Sequence, residues 1–245
     1  MKRRNILAGL AALLTTGCTK IGKTEWFGAL VDGAETLSRT AHRTLGGQPA
    51  MAREYSVADI SPHFRGNGSL GVGTSAYAED LENGFTAWRL QVRGLVEREL
   101  SLSMDEIRAL PQRTQITRHD CVEGWSAIGQ WTGPQLSAIL DLAGLRSEAR
   151  YLVFRCADTL GGAYYYESCD LDDALHPQTI IAHQLNGDPL PVDNGAPLRL
   201  RIERQLGYKH AKYLTAIEVV DSFADIEGGQ GGYWEDRGYQ WYAGV

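Results

Sequence analysis

Short apolar runs separated by turn residues dominate the chain between residues 88 and 221. Trp88 to Val96 alternates apolar and polar residues, as a half-buried strand does. Further runs of strand length are Thr114 to Arg118, Tyr151 to Cys156, Thr179 to Leu185, Leu198 to Glu203 and Tyr213 to Asp221. The turn dipeptide Asn186-Gly187 ends the third of these runs. We therefore predict a strand-rich, mixed α/β (α+β) fold in a single domain.

Three segments have the pattern of a helix. Between Glu25 and Leu45 the apolar residues recur at the spacing of an amphipathic helix. Ser103 to Glu106 is a capping box, which predicts a short helix ending at Leu110. Pro134 to Ala143 is the third, with proline near its first turn. Residues 46 to 85 are rich in Gly and Ser and have little periodicity, so we predict a long loop there, and such loops are often functional.

The composition excludes several classes of protein. Lys and Arg total 24 against 30 Asp and Glu, a net charge of −6, so the chain lacks the basic excess of a nucleic-acid-binding protein. Hydrophobic residues make up 43% and charged residues 22%, which is typical of a globular chain and not of a disordered one. The four cysteines include no C-x-x-C pair, which argues against a zinc ribbon or a thioredoxin motif.

The first 20 residues have the pattern of an export signal. Lys2, Arg3 and Arg4 are followed by an uncharged stretch from Asn5 to Gly17, whose 13 residues are too few for a membrane span of about 20. Arg3-Arg4 and the residues after them resemble a twin-arginine signal, which directs folded proteins for export. Gly17-Cys18 resembles the end of a lipobox, so Cys18 is a candidate for lipid attachment. An uncleaved anchor and a signal cut elsewhere are the alternatives.

Cys121 is the sharpest candidate for chemistry in the sequence. It lies in the block RHDCVEGWS, directly after a predicted strand. Arg118 and His119 are expected to favour its thiolate, which is the form that binds metals and acts as a nucleophile. A buried, inert thiol is the alternative.

Three chemistries suit such a cysteine, and the neighbouring residues do not distinguish among them. The first is a Cys-His nucleophile activated by a neighbouring base. The second is a zinc site made of Cys121, Cys156, Cys169 and a histidine, although their spacing fits no common zinc pattern. The third is a single thiolate that completes the ligand shell of a metal carried by a cofactor.

Two basic segments form a second candidate site. Asn194 to Arg199 (NGAPLR) is predicted as a turn leading into a strand, and Gly207 to Lys212 (GYKHAK) as a loop with two lysines and a histidine. Backbone N–H groups combined with Lys and Arg commonly hold a phosphate. The amide of Asn194 can both donate to and accept from the edge of a heterocycle. A solvated basic loop is the alternative.

Together these blocks resemble the molybdopterin-dependent oxidoreductases of the sulfite oxidase fold. The likeness is to their exported bacterial branch, which includes the catalytic subunit of protein-methionine-sulfoxide reductase. It runs from about residue 60 to the C-terminus, and its most specific blocks are RHDCVEGWSAIGQWTG and IIAHQLNGDPLPVDNGAPLRLRIERQLGYKHAKYLTAIEVVD. The resemblance implies a molybdenum-molybdopterin cofactor (Mo-MPT) and a molybdopterin-binding domain at residues 51–245. An export signal at residues 1–20 and a helical linker at residues 21–50 would precede it.

The resemblance also implies roles for individual residues. Cys121 matches the cysteine whose thiolate binds molybdenum beside the two dithiolene sulfurs of the pterin, so it is both the catalytic and the metal-binding candidate. Asn67 matches an asparagine that contacts the pterin. The other cofactor-binding candidates are Cys156, where a relative has threonine, Asn194 and Arg199 at the pterin, and His210 and Lys212 at its phosphate end.

The implied activity is a two-electron oxygen-atom transfer. We expect a reductase of an S- or N-oxide, either a small molecule or one carried on a protein. Gly66 precedes Asn67 where sulfite oxidases tend to have arginine, which makes sulfite a doubtful substrate. The alternatives are a sulfite-oxidase-like oxidase and a non-enzymatic exported protein that binds a metal or the cofactor.

Such an enzyme needs partners. The sequence shows no haem domain, so we expect electrons to be exchanged with a membrane haem protein or another electron-transfer protein. A protein that has folded around a cofactor cannot cross a membrane as an unfolded chain. This agrees with export by the twin-arginine machinery, which transports folded proteins. We expect a periplasmic or extracytoplasmic location, with Cys18 a candidate anchor, and no nucleic-acid partner. The aromatic tail from Gly228 is expected to pack on the domain, where it can cover the mouth of the site.

Overall fold

The computed structural model describes residues 24–45 and 50–245. Arg3, Arg4 and Cys18, and with them the predicted export signal and lipid attachment site, lie outside the described residues. Helix α1 spans Glu25–Leu45, as its periodicity predicts, and lies outside the compact unit that runs from Pro49 to Val245. In the described ranges, no helix is both long enough and apolar enough to cross a bilayer. The predicted division of the chain at residues 20 and 50 stays a prediction.

The compact unit is built on three sets of strands. A five-stranded sheet has the order β2-β1-β11-β5-β6, a four-stranded sheet has the order β3-β4-β8-β9, and β7 pairs with β10. β1 and β11 are parallel and the other pairs are antiparallel, which confirms the predicted strand-rich, mixed α/β fold. The strands are β1 (Arg89–Gly94), β2 (Leu100–Ser103), β3 (Gln112–Cys121), β4 (Trp125–Pro134), β5 (Tyr151–Leu160), β6 (Ala163–Asp170), β7 (Ile180–Ala182), β8 (Gln184–Leu185), β9 (Asp188–Pro189), β10 (Arg199–Arg201) and β11 (Leu214–Val220).

The helices of this unit are short. They are α2 (Ser75–Glu82), α3 (Met104–Ala109), α4 (Leu136–Ala143) and α5 (Leu171–Ala174), with 3-10 turns at Val57–Asp59, Val192–Asn194, Gly207–Lys209 and Glu235–Arg237. The predicted capping box opens α3: the Ser103 hydroxyl accepts from the Glu106 N–H, and the Glu106 carboxylate accepts from the Ser103 N–H. Helix α2 corrects the prediction of an unbroken loop from residue 46 to residue 85, because Thr74 caps a helix there.

Strand β4 shows why some strands escaped prediction. Its inward positions are Ala127, Gly129, Trp131 and Gly133, so small residues hide the usual apolar alternation. The run predicted from Thr179 to Leu185 is divided into β7 and β8 at His183, and the Asn186-Gly187 turn then joins β8 to β9. Helix α4 begins two residues after Pro134, because that proline is the last residue of β4.

Two apolar clusters hold the unit together. The larger lies on the five-stranded sheet and includes the fully buried Leu90, Phe154 and Ile217, each of which contributes about 1.5–3 kcal/mol by burial. The smaller surrounds Trp131 and packs β4 against β7 and β8. The first candidate residue, Cys121, ends β3 and pairs with Trp125, which packs against this smaller cluster.

Gly133 lies where β4 passes close to β7. A Cβ atom at this position would lie 2.0 Å from the Ile181 carbonyl oxygen and 2.8 Å from the Ala182 Cα. We expect Gly133→Ala to lower the free energy of unfolding by about 3 kcal/mol, the upper end for overpacking, measured by urea unfolding. Gly73→Ala is the control, because a Cβ there meets nothing within 4 Å. Equal losses in the two variants would contradict the assignment.

Candidate functional site

A cleft of about 670 Å³ lies where segments from several strands converge, a size typical of small-molecule sites. Its wall is formed by residues 67–69, the turn 121–123 after β3, the end of β5, part of β6, segment 207–212 and the C-terminal tail. Four of the seven predicted site residues line it: Asn67, Cys121, His210 and Lys212. Asn194, Arg199 and Cys156 lie behind the wall and contact it. Arg199 donates to the carbonyls of Asn194 and His210, and the Lys212 backbone hydrogen-bonds Cys156.

The β3–β4 hairpin places Cys121 at the cleft. Cys121 is the last residue of β3 and pairs with Trp125, the first residue of β4. Gly124 closes the turn by donating its N–H to the Cys121 carbonyl at 3.0 Å, with a φ of +85° that glycine adopts freely. The cysteine is 8% exposed and lines the cleft.

The electrostatics at Cys121 differ from the prediction. Burial raises the pKa of its thiol, and the Glu123 backbone N–H, Arg65 and Arg199 pull that pKa down in part. The expectation that Arg118 and His119 favour the thiolate is wrong. Arg118 points to the opposite face of β3, where it is exposed and paired with Asp120 at 2.9 Å. His119 is buried, and burial together with nearby Arg201 lowers its pKa well below the usual range, so it stays neutral.

His119 takes a structural position next to Cys121. Arg201 Nη1 donates to His119 Nδ1 at 2.9 Å, and Glu203 in turn accepts from Arg201 at 2.6 Å. Gly207 packs directly on the ring, since a Cβ there would lie 2.5 Å from His119 Nε2. A glycine is therefore required at residue 207 for the turn to approach β3.

Lys212 ties two of the wall segments together. Its ammonium donates to the carbonyls of Asn67 at 2.6 Å, Asp193 at 3.0 Å and Ser69, which uses its three protons. Burial, with Arg199 nearby, lowers the pKa of Lys212 to about 7. The predicted contact of Lys212 with a phosphate stays a prediction.

Several buried polar atoms around the cleft have no hydrogen-bond partner in the described part of the chain. They are Asn67 Oδ1, Asp158 Oδ1, Asn194 Nδ2, Arg199 Nε and His210 Nδ1. Arg199 is fully buried and pairs with no carboxylate among the described residues. Buried polar groups without partners are rare in folded proteins. Their concentration here, with an unpaired guanidinium, indicates a site for a polar, anionic ligand.

Part of the wall consists of residues that were not predicted from the sequence. Ser69, Tyr165 and Tyr208 line the cleft, and so does Asp158, which accepts from the Ser69 hydroxyl and whose pKa is raised by burial. Asp158 could have been found, because it shares a strand face with Cys156 and is an acid in a mostly buried strand. Trp234 and Tyr239 also line the cleft, so the aromatic tail forms part of its wall.

Two of the alternatives are wrong. The three described cysteines are free, and no group of three or more metal-binding side chains occurs in the described ranges, which removes the zinc site. Segment 207–212 is buried throughout and is not a solvated loop. A Cys-His nucleophile has its histidine within hydrogen-bond reach of the sulfur. In the part of the chain that the structure describes, no hydrogen bond joins Cys121 to a histidine.

A family model described as the oxidoreductase molybdopterin binding domain matches residues 78–225. This range holds every predicted site residue except Asn67. The fold is similar to that of the sulfane dehydrogenase SoxCD from Paracoccus pantotrophus, with a TM-score of 0.52 and 21% identity over 56% of this chain and 39% of that chain.

Three relatives extend the comparison. A protein of Azospira oryzae, provisionally named protein-methionine-sulfoxide reductase subunit YedZ1, is 46% identical over 64% of this chain and 56% of its own length. The protein-methionine-sulfoxide reductase catalytic subunit MsrP of Xanthomonas axonopodis pv. citri is 37% identical over 56% of this chain and 46% of its own. The uncharacterized oxidoreductase YuiH of Bacillus subtilis is 31% identical over 69% of this chain and 79% of its own. The chain thus spans about half the length of the first two.

The lowered pKa of Lys212 predicts a pH dependence of stability. Its pKa is about 7 in the folded chain against an ordinary value of 10.5, so between these values only the unfolded chain holds the proton. Stability then rises with pH across this window, by up to about 1.4 kcal/mol per pH unit. We expect cofactor-free wild-type protein to gain stability relative to Lys212→Met as the pH rises above 7, in urea unfolding at a series of pH values. A difference that does not vary with pH would contradict this.

Proposed function

The chain belongs to the molybdopterin-binding oxidoreductase family, and we propose that it reduces an S-oxide by a two-electron oxygen-atom transfer at the cleft beside Cys121. The observation that carries the proposal is the set of unpartnered, buried donors and acceptors around a cysteine that opens onto the cleft.

The residues around the cleft fit Mo-MPT. A soft metal prefers thiolate ligands, and Cys121 offers one sulfur at the cleft wall. Cys121 would give up its thiol proton on binding the metal, which offsets the raised pKa of the free thiol. For the edge of a heterocycle the site offers two acceptors, Asn67 Oδ1 and His210 Nδ1, and one donor, Asn194 Nδ2.

Two buried cations suit the anionic part of Mo-MPT. Arg199 is buried without a carboxylate partner, and Lys212 is a second buried cation. Arg199 and Lys212 would therefore hold the phosphate-bearing pterin, and Cys156 would contact it beside the Lys212 backbone. His210 would hold the pterin from segment 207–212.

The cofactor supplies a two-electron redox centre when bound. The chain's own residues provide position, proton handling and exclusion of water. Cys121 holds the metal, and the Glu123 N–H orients its sulfur. Asp158 faces the cleft with a free carboxylate oxygen and a raised pKa, so it can hold a proton there. Trp234 and Tyr239 add aromatic rings to the cleft wall.

The cleft favours a thioether oxide over sulfite as the substrate. No arginine is among the described residues that line it, whereas a small dianion needs several cations. Its rim carries exposed apolar groups, with Val122 46% and Tyr239 37% exposed, which suit the side chain of an oxidised methionine. The names of two relatives point to the same substrate class. A sulfite-oxidase-like oxidase is the alternative.

The setting of the reaction is part of the proposal. Electrons come from a membrane haem protein or another electron-transfer protein. The chain is exported folded by the twin-arginine machinery and works in the periplasm or another extracytoplasmic space. Lipid attachment at Cys18 would anchor it, and a mass spectrum of the mature N-terminus tests that point.

Removing the sulfur of Cys121 is the central test. We expect Cys121→Ser to reduce methionine sulfoxide turnover by more than 100-fold, beyond the roughly 10–100-fold typical of residues outside a metal's ligand shell, because a ligand is lost. Urea unfolding and molybdenum content are measured alongside. Cys169→Ala is the control, since Cys169 is a buried, free cysteine away from the cleft. Full turnover by Cys121→Ser with molybdenum bound would overturn the ligand assignment.

The export signal is tested separately. We expect replacement of Arg3 and Arg4 by lysine to leave the protein in the cytoplasm, because the twin-arginine pathway reads that pair. The measurement is the fraction recovered from the periplasm of the producing cells. Arg39→Lys with Arg43→Lys is the matched control outside the signal. Equal export of the two variants would contradict the proposal.

A further inference from the structure

An exposed carboxylate lies at the cleft, two residues from Cys121. Glu123 lines the cleft wall in the turn between β3 and β4, and its side chain is 46% exposed. Asp158 and Lys212 also line the cleft but are only 2% and 5% exposed. Glu123 is therefore the most accessible charged side chain in the described part of the wall. The proposed function uses its backbone N–H and leaves its carboxylate without a role.

Two neighbours hold the Glu123 carboxylate in place. The Trp125 indole N–H donates to Glu123 Oε2 at 2.9 Å, and Arg65 Nη2 lies 3.8 Å from the same oxygen. The Arg65 guanidinium also lies over the Trp125 ring, 5.1 Å from its centroid. The indole packs edge to face against Phe64, with ring centroids 6.4 Å apart. The negative charge thus has a defined position beside the cleft.

Arg65 offsets this charge only in part. Arg65 is not among the described residues that line the cleft, and its side chain is 58% exposed. The carboxylate, and not the guanidinium, therefore faces the cleft. An ion pair between two exposed side chains is weak, and salt screens the more distant cation further.

The cations deeper in the site do not compensate for Glu123 either. Lys212 is the only Lys or Arg in the described part of the wall, and its ammonium donates all three protons to backbone carbonyls. Arg199 lies behind the wall, where the anionic part of Mo-MPT would neutralise it. Asp158 adds a second acid to the wall. A negatively charged substrate would therefore meet a fixed carboxylate and no available cation.

We propose that Glu123 is a specificity-determining residue, whose carboxylate repels anionic substrates from the cleft and leaves it open to neutral sulfoxides. A like charge placed against the wrong ligand is a common source of specificity. This selectivity rests on the proposed function, because it concerns the substrate of the same cleft. It goes further by separating sulfoxides according to charge: a sulfoxide on an uncharged molecule is accepted, and the same group beside a free carboxylate is disfavoured.

The selectivity is tested with two substrates that differ in charge, N-acetylmethionine sulfoxide, which is an anion, and its neutral amide. The measured quantity is kcat/KM for the anion divided by kcat/KM for the amide, with an artificial electron donor. We expect Glu123→Gln to raise this ratio about fivefold, the effect in water of one unit charge at about 4 Å. The increase should shrink at high salt. The glutamine amide oxygen can still accept from the Trp125 indole, so the turn keeps that hydrogen bond.

Replacement of the cation gives the opposite expectation. Arg65→Gln leaves the Glu123 charge without its partial offset, so we expect the ratio to fall below that of wild type. A merely structural role of the ion pair predicts that both variants change in the same direction. Glu97→Gln is the matched control, because Glu97 and Arg146 form another exposed ion pair at 3.8 Å and neither is among the described residues that line the cleft. A wild-type ratio in Glu123→Gln, or an equal rise in Glu97→Gln, would overturn the proposal.

A second measurement needs no turnover. The Cys121 thiol of the cofactor-free full chain is alkylated with iodoacetate, an anion, or with iodoacetamide, its neutral analogue, and the modified peptide is quantified by mass spectrometry. Both reagents react with the same thiolate, so the ratio of their rates reports the charge beside the sulfur. We expect the iodoacetate to iodoacetamide ratio to rise in Glu123→Gln and to fall in Arg65→Gln.

The possible results separate the two proposals. If wild type reduces the neutral amide and Glu123→Gln keeps the wild-type turnover ratio, the charge selectivity is wrong and the proposed function stands. If cofactor-loaded wild type reduces neither sulfoxide, the proposed function is wrong. The alkylation ratio then decides on its own whether Glu123 repels anions from the cleft.

Discussion

The cleft depends on one buried ammonium group. Lys212 donates its three protons to backbone carbonyls of Asn67, Ser69 and Asp193, so one side chain sets the position of two otherwise separate loops. A Cβ on Gly195 would lie 2.8 Å from the Lys212 Cβ, which shows how closely the 192–195 turn packs on it. Loops commonly have few contacts of their own. Here the position of the Asn67 loop against the 192–195 turn follows from the hydrogen bonds of a residue just before β11.

Two arginines near Lys212 differ in whether a carboxylate neutralises them, and this difference matters for binding an anion. Arg201 is neutralised by Glu203 at 2.6 Å, whereas Arg199, two residues away on the same strand, has only carbonyl acceptors. Burial and Arg201 lower the pKa of Arg199 to about 9. An isolated buried cation is costly unless an anion compensates it. The fold therefore keeps a positive site beside Cys121, which an anionic cofactor would neutralise while stabilising the thiolate.

Sequence reasoning found the chemistry of the site more readily than its walls. The RHDCVEGWS block and the 194–212 blocks identified Cys121, Asn194, Arg199, His210 and Lys212, and the structure brings these residues to one cleft or directly behind it. It could not find Tyr165 or the Gly133 crossing, because these positions depend on strand pairings between distant residues. Asp158 was within reach, as an acid in a mostly buried strand. The charge on Cys121 was also misjudged. Alternation along β3 sends Arg118 to the outer face, and burial keeps His119 neutral.

The two acidic groups near the cleft illustrate how environment divides similar side chains into different roles. Glu203 is as buried as Glu167, but it faces one guanidinium through two oxygens, so its charge is matched. Glu167 shares one ammonium with Glu235, so the pair has one charge too many. The first arrangement suits holding His119 in place through Arg201. The second leaves a proton as the simplest counter-charge.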